Sequence, residues 1–178
     1  MTRGNGVVSG NRMERGNGTV NDKHIAGFTA AGPEDVAGLR SLANQSEAHW
    51  GYDRVFMEVF DRTFNITERF ILENPVFVSR QGDDPEAFWG LKQDEDGWEL
   101  EYFYVAEPAL GKGLGRRMWD HLTDWCRENR VYEFCFVTSP QAVGFYEKMG
   151  AVQDGMVRSA IDGRPIPHFR SVVPRMGD

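Results

Sequence analysis

Three alternating glycines, Gly111, Gly113 and Gly115, interrupt the run from Tyr104 to Trp119 and constrain this chain more than any other feature. They follow a strand-like stretch and open directly onto an amphipathic helix pattern. With no Cβ in the way, the backbone there turns tightly, successive N–H groups point at one anion, and the helix dipole adds partial positive charge. The spacing predicts a phosphate cradle, and a pyrophosphate is the group it fits. A P-loop is excluded because the Gly-Lys-Ser/Thr ending and its spacing are missing. The dinucleotide pattern G-x-G-x-x-G fails too: the third glycine arrives one residue early, and no acidic residue follows about twenty residues on along a second strand. Nucleotide hydrolysis and hydride transfer lose most of their support. A glycine-loop binder of ATP or NAD, or a plain strand-to-helix turn, are the other readings of this segment.

A second segment narrows the choice. Ser139-Pro-Gln-Ala-Val-Gly-Phe-Tyr-Glu-Lys-Met-Gly150 lies beyond the glycine-headed helix. Together the two segments resemble the GNAT superfamily of acetyl-CoA-dependent N-acetyltransferases, which carry Q/R-x-x-G-x-G/A at a pyrophosphate loop and N-x-x-A-x-x-F-Y-x-x-x-G on a later helix. Leu110-Gly-Lys-Gly113-Leu-Gly115 matches the first, and Ser139, Ala142, Phe145, Tyr146 and Gly150 match the second, over a resemblance spanning residues 24 to 174. Leu110 departs from the usual Gln or Arg and Ser139 from the frequent Asn, so one side-chain contact near the phosphates is lost while the backbone donors remain. The resemblance implies an α/β (α+β) fold: a mixed, mostly antiparallel central sheet of about six to seven strands flanked by helices. A splayed parallel pair of strands would bind acetyl-CoA against Phe103, Val105, Leu110, Gly111, Lys112, Gly113, Gly115, Arg116, Ser139 and Phe145.

The chemistry implied by the resemblance is direct transfer of an acetyl group from the thioester to an amine, with both substrates bound together. An ammonium must lose a proton, the thioester oxygen needs a hydrogen-bond donor, and the departing thiolate benefits from an acid. By the resemblance, the donor is the backbone N–H of Val105 or its neighbour, and Tyr146 is the acid; otherwise Tyr146 packs against the sheet or holds the pantetheine arm. Glu101 is the candidate base, four residues before Val105 at a place some family members use for a glutamate. Glu99 points to the same face by alternation, and an ordered water chain would serve if neither carboxylate faces the cleft.

For the acceptor, His49-Trp-Gly-Tyr-Asp53 combines two large rings, an imidazole and a glycine in one connection. By the resemblance this junction borders the acceptor cleft, which implies that Trp50 and Tyr52 form a wall of it and that His49 reads or deprotonates the substrate; the other reading is an aromatic plug over the core. His168 sits on the last hairpin, whereas His24 and His121 carry no signal. Residues 81 to 107 hold nine acids against one lysine, a run that attracts cationic amines or merely faces solvent.

Net charge −7 and a pI near 5.1 argue against nucleic-acid or anionic-membrane partners, which demand a basic face. Cys126 and Cys135 fall within a helix and a strand pattern, as buried, reduced cysteines do. Neither resembles an activated thiolate, and no G-x-S-x-G elbow offers a competing nucleophile. Scattered histidines without H-x-x-x-H or C-x-x-C spacing predict no metal. The chain has no long apolar run and no hydrophobic leader, so a cytoplasmic location is expected. Its 178 residues suit one domain. Residues 1–23, where Arg3-Gly-Asn-Gly is repeated at Arg15, read as a flexible tail and 24–178 as the acetyltransferase domain.

Along that domain, a strand around Ile25 to Thr29 precedes a helix entered at Pro33 with Val36, Leu39, Leu42 and Ala43 on its apolar stripe. A second helix starts near Tyr52, with Val55, Phe56, Val59 and Phe60 on one face. Strands at Val76–Arg80, Ala87–Lys92 and Trp98–Val105 form a meander. The glycine-headed helix buries Leu114, Met118, Leu122 and Cys126. Tyr132–Val137 reads as a strand buried on both faces, Ser139 as the cap of the next helix, and Ala151–Ser159 with His168–Val173 as a closing hairpin. The expected activity is N-acetyl transfer to a primary amine of a small molecule or protein; the alternative is a non-catalytic module that senses acyl-CoA. The resemblance also allows a homodimer.

Overall fold

A computed structural model describes residues 27–175, so the expected tail and the start of the first strand lie outside the described residues. In chain order the elements are β1 (Phe28–Ala30), α1 (Val36–Ala48), α2 (Arg54–Thr63), α3 (Glu68–Glu73), β2 (Val76–Gln81), β3 (Asp84–Asp94) and β4 (Gly97–Val105), followed by α4 (Leu114–Glu128), β5 (Glu133–Val137), α5 (Val143–Lys148), β6 (Val152–Arg158) and β7 (Pro165–Val172). The strands form one seven-stranded sheet in the order β1-β2-β3-β4-β5-β7-β6, mostly antiparallel, with β4–β5 its parallel pair.

Helices cover both faces because both faces carry apolar side chains. On one, Leu39, Leu42, Phe56, Phe60 and Ile71 of α1–α3 bury against Val78, Phe88 and Tyr102. On the other, Met118, Trp119 and Leu122 of α4 bury against Trp89, Leu91, Phe134 and Phe136. Each fully buried side chain of this size contributes roughly 1.5–3 kcal/mol. The short α2 and α3 start at caps: Asp53 accepts from the Phe56 N–H at 2.8 Å and Thr67 from the Phe70 N–H at 3.1 Å. The single turn and a half of α3 was not expected from the sequence. Val55 departs from the expected stripe at 65 % exposure; Phe56 and Phe60 are the buried residues of α2, with Met57 packed against the same core.

Two further expectations are corrected. β5 is not buried on both faces: Phe134 and Phe136 are buried, but Cys135 and Val137 are only half-buried and Glu133 is exposed. The reason is that the core beneath α1–α3 draws on β2, β3 and β4 but not on β5. Ser139 stands before a 3₁₀ turn, Pro140–Ala142, and its side chain makes no cap hydrogen bond. The backbone carries the turn instead, Ala142 N–H donating to the Ser139 carbonyl.

Two details of β4 position the site. It pairs with β5 only at Glu99↔Cys135, so the strands part towards their C-terminal ends. Its register with β3 passes from Gly90↔Tyr102 to Leu91↔Leu100, which makes Glu101 the extra residue of a bulge.

Candidate active site

A cavity of about 540 Å³ occupies the gap where β4 and β5 part, lined by the glycine turn and also by Glu47 and Trp50 at the end of α1 and just beyond it. Gly111 (φ +73°) and Gly113 (φ +81°) hold left-handed backbone, and a Cβ at either would meet no protein atom within 4 Å. The space beside them is therefore open towards a ligand. Gly115 differs: its backbone is not left-handed, and a Cβ there would meet the Phe145 ring at 3.4 Å, in ordinary contact. Gly113 is the N-cap of α4 and offers no side chain. The first N–H bonded inside the helix is that of Arg117, to the Gly113 carbonyl, so those of Leu114, Gly115 and Arg116 have no intrahelical acceptor. Such a cradle fits a pyrophosphate.

Of the cofactor-binding residues expected from the sequence, Phe103, Val105, Leu110, Gly111, Gly113, Gly115, Arg116, Ser139 and Phe145 all line this cavity; Lys112 does not. Val105 lies opposite Ala87 in a pair that exchanges no ladder bond, since the next residue, Ala106, donates to the Glu86 carbonyl on β3. N–H groups alternate between the edges of a strand, so the Val105 N–H faces the gap.

Tyr146 lines the cavity. Its ring is 7 % exposed and packs at 4.5 Å from Phe136 and 5.9 Å from Phe103. Burial pushes its phenol well above the ordinary tyrosine range; the Thr138 side chain opposes this, and the charge of Glu47 adds to it. The phenol therefore holds its proton at neutral pH. Tyr104, also on the cavity wall, is raised mainly by burial and then by Glu47.

The two carboxylates expected on β4 do share a side, because Lys92 Nζ reaches Glu101 at 2.5 Å and Glu99 at 3.0 Å. Burial would lower Lys92, but hydrogen bonds to Glu101 and Glu99 outweigh it and raise the ammonium above its usual range. Glu101 thus lines the cavity as half of an ion pair. A third carboxylate, Glu47 in the last turn of α1, carried no expectation from the sequence. It lines the same cavity, and burial raises it to about 7, with Arg164 pulling the other way. A carboxylate at a helix C-terminus runs against the dipole, which is the signal the sequence carried.

The expected acceptor residues divide. Trp50 lines the cavity, whereas His49 and Tyr52 do not. His49 turns to Glu107, with Nδ1 3.3 Å from its carboxylate. Tyr52 stacks on Phe56 at 4.0 Å and serves as a support: its hydroxyl accepts from Arg164 Nη2 at 2.8 Å. Arg164, in the turn between β6 and β7, lines the cavity and had no sequence signal. His168 lies on Asp154, at 2.5 Å. Burial pushes the Cys126 thiol up to about 12 and raises Cys135 as well, so neither is an activated thiolate. Among the described residues no helix is long and apolar enough to cross a membrane.

Similarity to known proteins follows the same lines. No curated protein matches the sequence significantly. The fold is similar to that of the PaiA N-acetyltransferase from Thermoplasma acidophilum in complex with coenzyme A (TM-score 0.64, 16 % identity, 82 % of this chain and 97 % of that one). It is also similar to the ribosomal-protein-S18-alanine N-acetyltransferase from Escherichia coli (0.62, 16 %, 85 % and 96 %). A third similar structure is yncA from Salmonella typhimurium with its cofactor acetyl-CoA (0.60, 17 %, 83 % and 94 %). At these identities the likeness is one of fold. The family model for acetyltransferases of the GNAT type matches residues 20–151, about three quarters of the sequence, and with the glycine cradle and the parted strands already in place, the chain belongs to the acetyltransferase (GNAT) family.

Proposed function

We propose that the protein moves an acetyl group from acetyl-CoA to a primary amine of a small molecule or protein, by direct attack with both substrates bound. The observation that carries this reading is that one cavity joins the glycine cradle, the Val105 N–H edge and the Tyr146 phenol. Leu114, Gly115 and Arg116 present main-chain donors for the pyrophosphate, with Arg116 adding positive charge. Acetyl-CoA supplies the activated thioester. Val105 donates to its carbonyl oxygen as charge grows there, and Tyr146, still protonated, gives its proton to the departing sulfur. The cysteines take no part, since their thiols are held protonated.

The decisive measurement is release of free thiol from acetyl-CoA across a panel of amines, beside calorimetric titration with CoA, ATP and NAD. Acceptor-dependent thiol release with CoA-selective binding is expected. Tight CoA binding with no turnover on any amine would favour a non-catalytic acyl-CoA sensor instead, and preference for ATP or NAD would remove both readings.

A further inference from the structure

On the acetyl-transfer reading, the same cavity must also receive the acceptor. Two opposite charges face it from different elements: Glu47 from the end of α1 and Arg164 from the β6–β7 turn. They are close enough for Arg164 to pull on the Glu47 carboxyl, yet they form no direct ion pair, and the Glu47 carboxylate has no hydrogen-bond or ion-pair partner among the described residues.

Arg164 is held in place mainly by uncharged groups. Its guanidinium lies over the rings of Tyr52 at 4.8 Å and Phe56 at 5.2 Å, and Nη2 donates to the Tyr52 hydroxyl. Asp162 approaches Nε no closer than 3.5 Å, and that buried Nε has no hydrogen-bond partner. A guanidinium fixed on aromatic faces, with donor capacity to spare and a carboxylate across a gap, suits a ligand carrying both charges. Phe56, Phe60, Phe64 and Ile161 line the same cavity and offer an apolar wall beside them.

We propose that the acceptor is an amino acid with an apolar side chain, its carboxylate taken by Arg164 and the proton of its ammonium by Glu47. This rests on the acetyl-transfer reading. Glu47 suits that role because burial raises it to about 7, so it can accept a proton near neutrality, and Tyr146 and Tyr104, both held protonated, face it from α5 and β4. Once Glu47 holds the first proton, the nitrogen lone pair bonds to the carbonyl carbon and the C–S bond breaks. The sulfur gains a proton from Tyr146, and the second nitrogen proton restores the phenol. One N-acetyl amino acid, one thiol and one proton leave.

The experiment measures thiol release from acetyl-CoA with the proteinogenic L-amino acids, their carboxamides and their decarboxylated amines. Apolar amino acids should exceed their matched carboxamides and amines by about 10- to 100-fold in kcat/KM, the range set by leaving a charged donor unpaired. Arg164→Gln should erase that preference by raising KM for the amino acid while leaving KM for acetyl-CoA unchanged. Glu47→Gln should lower kcat by roughly 10²-fold and abolish the rise of rate with pH near neutrality. Glu47→Asp, checked for folding beside it, should keep a titrating limb at reduced kcat. Carboxamides or simple amines turned over as well as the acids would overturn the acceptor assignment while leaving acetyl transfer standing. An unchanged pH limb in Glu47→Gln would remove Glu47 from the mechanism. CoA binding without thiol release on any acceptor would instead bring down the reading beneath.

Discussion

Glu99 of β4 lies opposite Cys135 of β5, and that single register pair is the point from which the two parallel strands diverge. Everything needed for the proposed chemistry lies beyond it. Leu100 to Val105 form one bank and Phe136 to Ser139 the other, with α5 carrying Tyr146 across the opening. A ladder continued past Glu99 would bring the two strands together and close the cavity. The gap is kept open in part by size: the Tyr146 ring packs beside Phe136, Phe103 and Trp119, and the Phe145 ring packs beside Phe103 and against Gly115.

Gly113→Ala separates the two demands on the glycine turn. At φ +81° an added Cβ costs roughly 1–2 kcal/mol of backbone strain although it strikes nothing in the protein. Gly82→Ala, at φ +65° in the β2–β3 hairpin, should cost about the same. Only Gly113→Ala should also weaken CoA binding, by about tenfold or more, because its methyl enters the space the phosphates need. Thermal melts give the first comparison and calorimetric titration the second; equal CoA affinity in the two variants would count against the cradle.

Tyr146→Phe keeps the ring among its aromatic neighbours and removes only the hydroxyl. Stability should fall by no more than about 1 kcal/mol, the worth of one hydrogen bond. The rate constant kcat should fall by roughly 10²-fold with little change in KM for acetyl-CoA, as expected when an acid acting only in the transition state is removed. A drop shared by single-turnover and steady-state rates would locate the effect in the chemical step. A kcat within twofold of the parent would leave Tyr146 a packing residue.

The parts of the site legible in sequence are those written locally. Glycine spacing reports a required backbone conformation, so Gly111, Gly113 and Gly115 could be placed before any fold was known. Apolar periodicity found α1 and α4, and the Phe145-Tyr146 pair came with its helix. The acceptor end was not legible, because Glu47 and Arg164 stand more than a hundred positions apart and meet only through the placement of α1 over β4 and the return of the β6–β7 turn. The place of Tyr52, off the cavity and beneath Arg164, was hidden for the same reason. An aromatic ring in a loop carries no local mark of whether it faces a ligand or braces an arginine that does. For β5, a continuous run of aromatic and β-branched residues suggested two buried faces, and only the reach of the α1–α3 core shows that one face fronts a cavity.

His121 should make stability depend on pH. The Trp89 indole donates to its Nδ1 at 3.0 Å, and burial lowers the imidazole pKa, with Asp124 opposing. A group whose folded pKa is depressed supplies stability above its unfolded value, about 6.5, and loses it as pH falls from there towards the folded pKa. Glu47, raised to about 7, acts with the opposite sign, since the folded state then binds its proton more tightly and gains stability on acidification. His121→Gln can accept from Trp89 without titrating, so the difference between parent and variant isolates the histidine. Chemical denaturation at pH 7.5 and 5.5, pH values chosen to bracket about 6.5, should show the parent losing ground to the variant at the lower pH. An identical pH slope in the two proteins would refute the linkage.

Leu110→Arg tests whether the departure from the usual Gln or Arg at the start of the glycine turn weakens cofactor binding. Leu110 has extended backbone (φ −61°, ψ 143°), is 40 % exposed and lines the cavity, so an arginine fits there without backbone strain or loss of core. Its guanidinium would add charge-assisted donors beside those of Leu114 to Arg116, where the pyrophosphate is expected to lie. At such exposure the gain should be modest, about threefold to tenfold in CoA affinity at low ionic strength, and should shrink in high salt as the Debye length falls. Stability should change little, because Leu110 belongs to neither buried core. An affinity for CoA that rises with the new charge and loses the increment in salt would place the phosphates at this turn. One insensitive to both would mean that the cofactor's anionic end lies elsewhere, and the assignment of the glycine turn would have to be given up.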